Sequence, residues 1–333
     1  SDSGFTAVAG EGYFLNTTAG TISVNLPAGS AGAVVAFKDY AGTFDTNAAT
    51  LVPNGSDKIG GSTDNVILSE EGIAVTLVFI DSTQGWLVTD SGLQSEAPSP
   101  TFVAATGGTV TTVCTNFKVH TFTGPGTFCI SAVGNLAGSN SVDYLVIAGG
   151  GGGGKGNSPA HGAGGGGAGG YRESPGTTTC YTASPLGAAP AAAIAVSTGA
   201  YPVAVGGAGT GSACANVRGT SGSNSSFLTI TSNGGGGGGV SLCSGFPGLP
   251  GGSGGGGSSE ASGSGGAGNT PPVSPPQGES GGAGVNAATP VLQTGGGGGA
   301  TAAGTSGTGG GTMGAGGAGA TSSINGTPTA RAG

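Results

Sequence analysis

Charge is what this sequence has least of. Of its 333 residues only 7% are Asp, Glu, Lys or Arg, against about 25% in ordinary globular domains. The net charge is −8, so nothing in the chain can neutralise a row of phosphates, and nucleic acid is excluded as a partner. Apolar runs of membrane-spanning length are missing too, so membrane insertion is not expected. Residues 1–20 lack a basic segment followed by an apolar one, and no secretory signal is read there. Helical patterning is also absent: no window free of Gly and Pro carries apolar residues at i, i+3, i+4 and i+7. A central glycine costs a helix about 1 kcal/mol relative to alanine, and the one Ala-rich stretch, 187–196, is broken by Pro190.

Chemistry-bearing groups are equally sparse. The five cysteines, Cys114, Cys129, Cys180, Cys214 and Cys243, show no C-x2-C or other metal-ligand spacing. They read as buried small apolar residues, and their odd number leaves at least one thiol unpaired or intermolecular. His120 and His161 have no acid–nucleophile pattern near them. Asp39, Asp45, Asp57, Asp64 and Asp81 offer no spacing that selects a carboxylate pair, and turns account for each. No catalytic residue, metal or cofactor is expected, and the chain reads as non-enzymatic.

What is present is β patterning followed by glycine. Ile22, Val24 and Leu26 alternate with polar residues, the period-2 signature of a half-buried strand. Residues 33–37 form an apolar strand, and Asn54-Gly55 marks a tight turn because both residues tolerate positive φ. Residues 75–80 form the most hydrophobic strand, with 81–85 as a hairpin loop and 86–88 as its return. Trp86 anchors this core or, alternatively, serves as an exposed ligand platform. Residues 1–95 therefore read as one small sandwich-like β domain for attachment or oligomerisation, and 96–101 as a linker carrying Pro98 and Pro100. A β platform follows over 102–148, in which 117–122 pairs with 127–133 around Gly124, Pro125 and Gly126. Its last strand is 142–148.

From Gly149 the building material changes. Only 19 of the 80 glycines precede position 149, and 61 fall after it. Glycine tracts occupy 149–154, 164–167, 234–239, 254–257 and 295–299, with short strands between them at 194–196, 202–205 and 227–230. A disordered Gly/Ser linker is one reading of such composition. Three features favour an ordered one: the tracts have similar lengths, apolar residues punctuate them, and the charge that usually accompanies disorder is scarce. The ordered alternative is a bundle of short left-handed helices of the polyproline-II type, with three residues per turn and a rise of about 3.1 Å. Without Cβ atoms such rods can approach until each N–H reaches a neighbour's carbonyl. The expected fold is thus all-β, with a polyglycine-II domain over 149–333 and essentially no α-helix.

One motif imitates a phosphate-binding loop: Gly149, Gly154 and Lys155 follow an apolar strand with the right spacing. Position 156 is Gly rather than Ser or Thr, and residues 157–162 cannot begin a helix, so nucleotide binding is set aside. The same residues carry a resemblance. Residues 142–154, then 164–173 with Tyr171, Arg172 and Glu173, resemble glycine-rich modules of bacteriophage tail fibres and related virion appendages, including those of marine and cyanobacterial phages. Residues 118–123, 126–128, 269–278 and 321–333 are similar as well, so the resemblance spans roughly 101–333. The polyglycine-helix fibre-tip adhesins are the architectural analogy.

The resemblance implies a virion, extracellular location and self-association, as a trimer or a fibrillar array, beside other virion proteins. It also implies contact with a bacterial surface glycan or outer-membrane protein through loops joining the helices. The alternative is a purely structural subunit, a capsid decoration or a repeating filament unit, whose glycine layer packs subunits together. Side chains expected to protrude from the lattice are the receptor-contact candidates: His161, Tyr171, Arg172, Tyr181, Tyr201, Phe246 and Leu249. Tyr rings stack on sugars while their hydroxyls bond outward; equally, these rings would plug the ends of the bundle.

Overall fold

The computed structural model describes residues 3–93, 100–135, 138–156, 162–177, 179–187, 192–214, 217–241, 246–259, 263–286, 293–308 and 311–333. Among them there is no helix. The chain divides into two compact units, Ser1–Ser99 and Pro100–Gly333.

The first unit holds β1 (Phe5–Thr6), β2 (Gly12–Leu15), β3 (Ile22–Asn25), β4 (Val34–Asp39), β5 (Ala49–Val52), β6 (Val66–Leu68), β7 (Ile73–Asp81) and β8 (Gly85–Leu93). They form two four-stranded sheets, ordered β1-β3-β5-β6 and β2-β4-β7-β8. The alternation read in the sequence puts Ile22 and Val24 inward from one sheet, and Leu15, Phe37, Leu77 and Phe79 inward from the other, into one shared core. Trp86 lies fully inside it, edge-on to Phe79 with ring centroids 5.5 Å apart. Its role is therefore packing rather than display. The expected hairpin of β7 and β8 forms, and Gly85 at its turn (φ 73°) would place a Cβ 1.8 Å from the Lys58 carbonyl oxygen.

A carboxylate organises the other end of this unit. Asp39, buried at the end of β4, accepts N–H donors from Ala41, Gly42, Thr43, Phe44 and, across the fold, Gly72. Burial alone would raise its pKa, but these donors outweigh burial and hold it below the ordinary carboxylate value. A depressed folded-state pKa gives stability that is present above the unfolded value and lost as pH falls through the folded one. Asp39→Asn is therefore expected to cost about 1–3 kcal/mol at neutral pH, and the difference should begin to shrink near the ordinary carboxylate value of about 3.9 and keep falling as pH drops through the lower folded value. Urea denaturation at neutral pH and across this range tests this; a pH-independent difference would contradict it.

The second unit begins with β9 (Ala104–Thr106), β10 (Thr109–Val113), β11 (Phe117–Thr121), β12 (Gly126–Ala132), β13 (Ser141–Val142) and β14 (Tyr144–Ile147). After the first glycine rods come β15 (Tyr171–Ser174), β16 (Ile194–Ala195), β17 (Gly199–Ala204), β18 (Ser225–Phe227) and β19 (Ile230–Ser232), and the chain closes with β20 (Ala320–Ser322) and β21 (Thr329–Arg331). Several local expectations are corrected here. Strand β11 pairs with β10, through a turn whose Cys114 and Thr115 both have positive φ, and not with β12. Strand β12 lies instead between β9 and β17 in a five-stranded sheet, where Phe128 packs edge-on against His120 and Phe227. The apolar run 227–230 is not a strand but a hairpin turn, with Phe227 opposite Ile230 and Leu228 at φ 51°. The strand expected over 142–148 is broken at Asp143: Val142 pairs with β16, whereas Tyr144–Ile147 pairs with β15. The Asp143 carboxylate takes the Gly176 N–H at 2.6 Å, and burial raises its pKa despite that bond.

Beyond Ile147 the chain runs as rods joined by N–H···O=C bonds with a repeat of three residues. Gly149 and Gly152 donate to Ser223 and Thr220, Gly151 and Gly154 to Gly167 and Gly164, while Gly150 and Gly153 accept from Gly209 and Ser212. One rod thus addresses a different neighbour with each successive residue. Bonding continues in the same rhythm through 164–170, 206–212, 219–224, 234–240, 248–252, 253–259, 263–268, 278–284, 294–299, 302–307 and 314–319. Residues 234–240, 251–259 and 293–300 are buried throughout. Spacing is set by backbone contact: a Cβ on Gly164 would stand 1.9 Å from the Gly256 carbonyl oxygen.

Candidate functional site

The rods alternate in direction, so their connections sort into two ends. At one end stand the strands and the 269–277 turn. Tyr171, Ala300 and Ala320 form a small core there, with Leu145, Ile147, Leu186 and Ala332 against it. The buried Glu173 carboxylate accepts the Tyr171 hydroxyl at 3.1 Å, the Ser184 N–H at 2.8 Å and the Ser322 hydroxyl. Gln277 spans the same joint, accepting from the Asn233 N–H at 2.8 Å and donating to the Pro271 carbonyl at 3.0 Å.

At the other end, among the described residues, lie 155–156, 162–163, 213–214, 217–218, 241, 246–247, 285–286, 293, 308 and 311–313. Those described are tied together locally: Lys155 Nζ donates to the Ala213 carbonyl at 2.7 Å, the Gly162 N–H to Ser259 Oγ at 3.0 Å, and Ser241 Oγ to the Gly162 carbonyl at 2.6 Å. Here the rods stop and side chains project. Val217 and Met313 are 50% and 63% exposed, and the Arg218 guanidinium sits 4.7 Å from the centroid of the Phe246 ring. Lys155, the cation of the apparent phosphate loop, is spent on a carbonyl, and the N–H groups of Gly149, Gly151, Gly152 and Gly154 are bonded to neighbouring rods, so they do not form a phosphate cradle.

The receptor-contact candidates divide between the two ends. Phe246 is exposed at the free end, and His161 lies outside the described residues. Leu249 is half-buried within a rod, its carbonyl accepting the Gly255 N–H at 2.9 Å. Tyr171, Arg172, Tyr181 and Tyr201 all stand at the strand end. Tyr171 is 1% exposed, and burial pushes its pKa up to about 12, so it plugs the joint instead of projecting. The reason is local: in β15 it faces the lattice, with Glu173 accepting its hydroxyl. The Tyr181 hydroxyl is buried without a partner among the described residues, and burial raises its pKa as well. Tyr201 is half-buried and turns its hydroxyl back onto Ser197; Arg172 is half-buried opposite Val146.

The cysteine reading is also corrected. Cys114 and Cys180 form a disulfide, whereas Cys129 and Cys214 are free and exposed; Cys243 lies outside the described residues. Among the described residues no group of three His, Cys, Asp or Glu side chains is placed to hold a metal ion. A cleft in the first unit, lined by Phe14, Lys38, Tyr40 and Glu71, has Asp39 in its wall. That carboxylate is fully committed to backbone N–H groups, and Lys38 donates to the Gly72 carbonyl.

The chain belongs to the glycine-rich domain family, whose model matches residues 122–333. Residues 1–93 match the N-terminal model of bacteriophage T4 gp9/10-like protein, which makes the chain a structural component of a phage virion. No curated protein matches the chain.

Proposed function

We propose that this virion component is a non-enzymatic fibre or appendage protein that adsorbs the particle to its host through the loops at the free end of the rods. The observation that carries this reading is the segregation of the lattice ends. Sheets and a closed polar joint occupy one end, and the side chains not needed for packing emerge at the other. Rods bonded by their backbones hold these loops on a rigid base, as a recognition surface requires. The first unit is suited to attachment to other virion proteins and to self-association: Phe14 and Tyr40 are 64% and 67% exposed, as at surfaces that mate with another protein. The host-side partner is a bacterial surface glycan or outer-membrane protein.

A second reading has its own support. Thr210 and Thr220, and Thr305 and Ala315, are exposed along the sides of rods and bond in register there. Such flat, short-chain faces suit lateral packing of subunits in a decoration layer or filament. Labelling the chain on intact particles separates the two. A few copies at a fibre tip, with adsorption lost when segments 213–218 and 241–247 are exchanged for Gly/Ser, is the expected result. Copies repeating along a filament, with adsorption unchanged by the exchange, would overturn it.

A further inference from the structure

Arg218 carries a buried donor at the free end. It immediately precedes the rod 219–224, its guanidinium lies over Phe246, and its Nε is buried with no hydrogen-bond partner among the described residues. A desolvated guanidinium N–H without an acceptor is costly, about 1–3 kcal/mol and more for a charged group, unless something supplies the acceptor. Lys155 reaches the same corner. The register that pairs Gly152 with Thr220 carries Lys155 to the level of Val217, one residue from Arg218. The Lys155 Nζ is already bonded to the Ala213 carbonyl at 2.7 Å, so the contact with an anion falls to Arg218. Beside it are an aromatic ring and an exposed Val217. Glu260 lies outside the described residues.

We propose that this corner is a binding site for an acidic sugar, one that bears a carboxylate or a phosphate. The planar guanidinium presents paired N–H donors that match either oxyanion. Phe246 and Val217, both exposed, offer apolar surface to the C–H face of the ring. This assignment rests on the reading of the free end as the host-contact surface and names the chemistry it would recognise.

The chain has three arginines, Arg172, Arg218 and Arg331, so the Nε–Hε signal of Arg218 can be assigned in a nitrogen-15 spectrum of the whole chain by its loss in Arg218→Gln. Galacturonate, galactose 6-phosphate and galactose are the probes. A saturable shift of that signal with the carboxylated sugar, the phosphorylated sugar or both, and none with galactose, is expected; which charged sugar acts identifies the oxyanion. Arg218→Lys should weaken binding about tenfold, through loss of the paired geometry, and Phe246→Ala should weaken it while leaving Tm unchanged. No shift with either charged sugar, an equal shift with galactose, or a shift that appears only in Glu260→Gln because that acid already occupies Arg218 would each overturn the assignment. Binding of the labelled chain to host cells is measured in parallel. Cells bound equally by the wild type and Arg218→Gln would remove the acidic-sugar site but leave the adsorption reading intact. No binding to any host cell would remove the adsorption reading, while the spectra still decide the site.

Discussion

Replacing Gly236 with alanine is expected to unfold the glycine lattice, while the same change at Gly207 is tolerated. A Cβ on Gly236 would lie 1.8 Å from the Leu249 carbonyl oxygen and within 2.9 Å of the Gly255 nitrogen. Neither is the end of a flexible side chain. Gly236 cannot retreat, because its N–H is bonded to Ser253 at 2.9 Å and its carbonyl accepts from Gly167 at 2.8 Å. Moving it in any direction lengthens bonds to one of three rods. The cost should reach about 3–5 kcal/mol, at the upper end of what single substitutions do and a large part of a typical domain's stability. At Gly207 a Cβ meets nothing within 4 Å, and alanine there should be neutral or stabilising by about 0.4–1 kcal/mol through the unfolded chain. Gly153, where the nearest atom is 3.8 Å away, serves as a second control within a tract. Thermal denaturation compares the three, and amide exchange reports which rods open. Equal Tm values for Gly236→Ala and Gly207→Ala would refute a lattice held by backbone contact.

The same contacts explain how much could be read from the sequence. The uninterrupted tracts 234–239, 254–257 and 295–299 are the interior rods, where every side of the backbone meets another backbone, so glycine is needed at every position. Rods at the edge need it only where they face inward. In 206–212 the inward positions are Gly206 and Gly209, whose Cβ atoms would meet carbonyls at 2.0 and 2.1 Å, and in 219–224 they are Gly219 and Gly222. These edge rods carry Thr, Ser and Ala on their outer sides and read as ordinary loops. With rods missed, the alternation of ends could not be counted. The sequence therefore groups Tyr171 and Tyr201 with Phe246 as protruding side chains, although both tyrosines stand at the strand end and Phe246 at the free end. Arg218, placed just before Gly219, was overlooked; a glycine recurring every third residue was the signal that would have found it. In the first unit the alternation at Ile22, Val24 and Leu26 and the 81–85 turn were legible because their pairing is local. The sheet around β12 was not, because its partner β17 comes from beyond two glycine rods, and no short-range pattern encodes that register.

Loss of the Cys114–Cys180 bridge is expected to have the next largest effect. It joins residues 66 apart, with Cα atoms at 6.3 Å, and closes a loop that contains β11 to β15 and the first two rods. Closing a loop of this length removes enough freedom from the unfolded chain to be worth about 4 kcal/mol on chain-entropy grounds. The bridge also fastens the β10–β11 turn, where Cys114 and Thr115 both adopt φ values that side chains disfavour, to the segment leading into Tyr181. Cys114→Ser and Cys180→Ser should therefore each lower the stability of the second unit by a similar amount, and the double variant should lose no more than either alone. Reductant should produce the same loss in the wild type and none in the variants. Cys129→Ser and Cys214→Ser, at exposed free thiols, should leave denaturation unchanged and thereby separate the bridge from thiol chemistry in general. A protein that forms its bridge only after release into an oxidising medium would gain this stability outside the host cell. Wild-type melting curves that coincide with and without reductant would show that the glycine lattice holds these segments without the bridge.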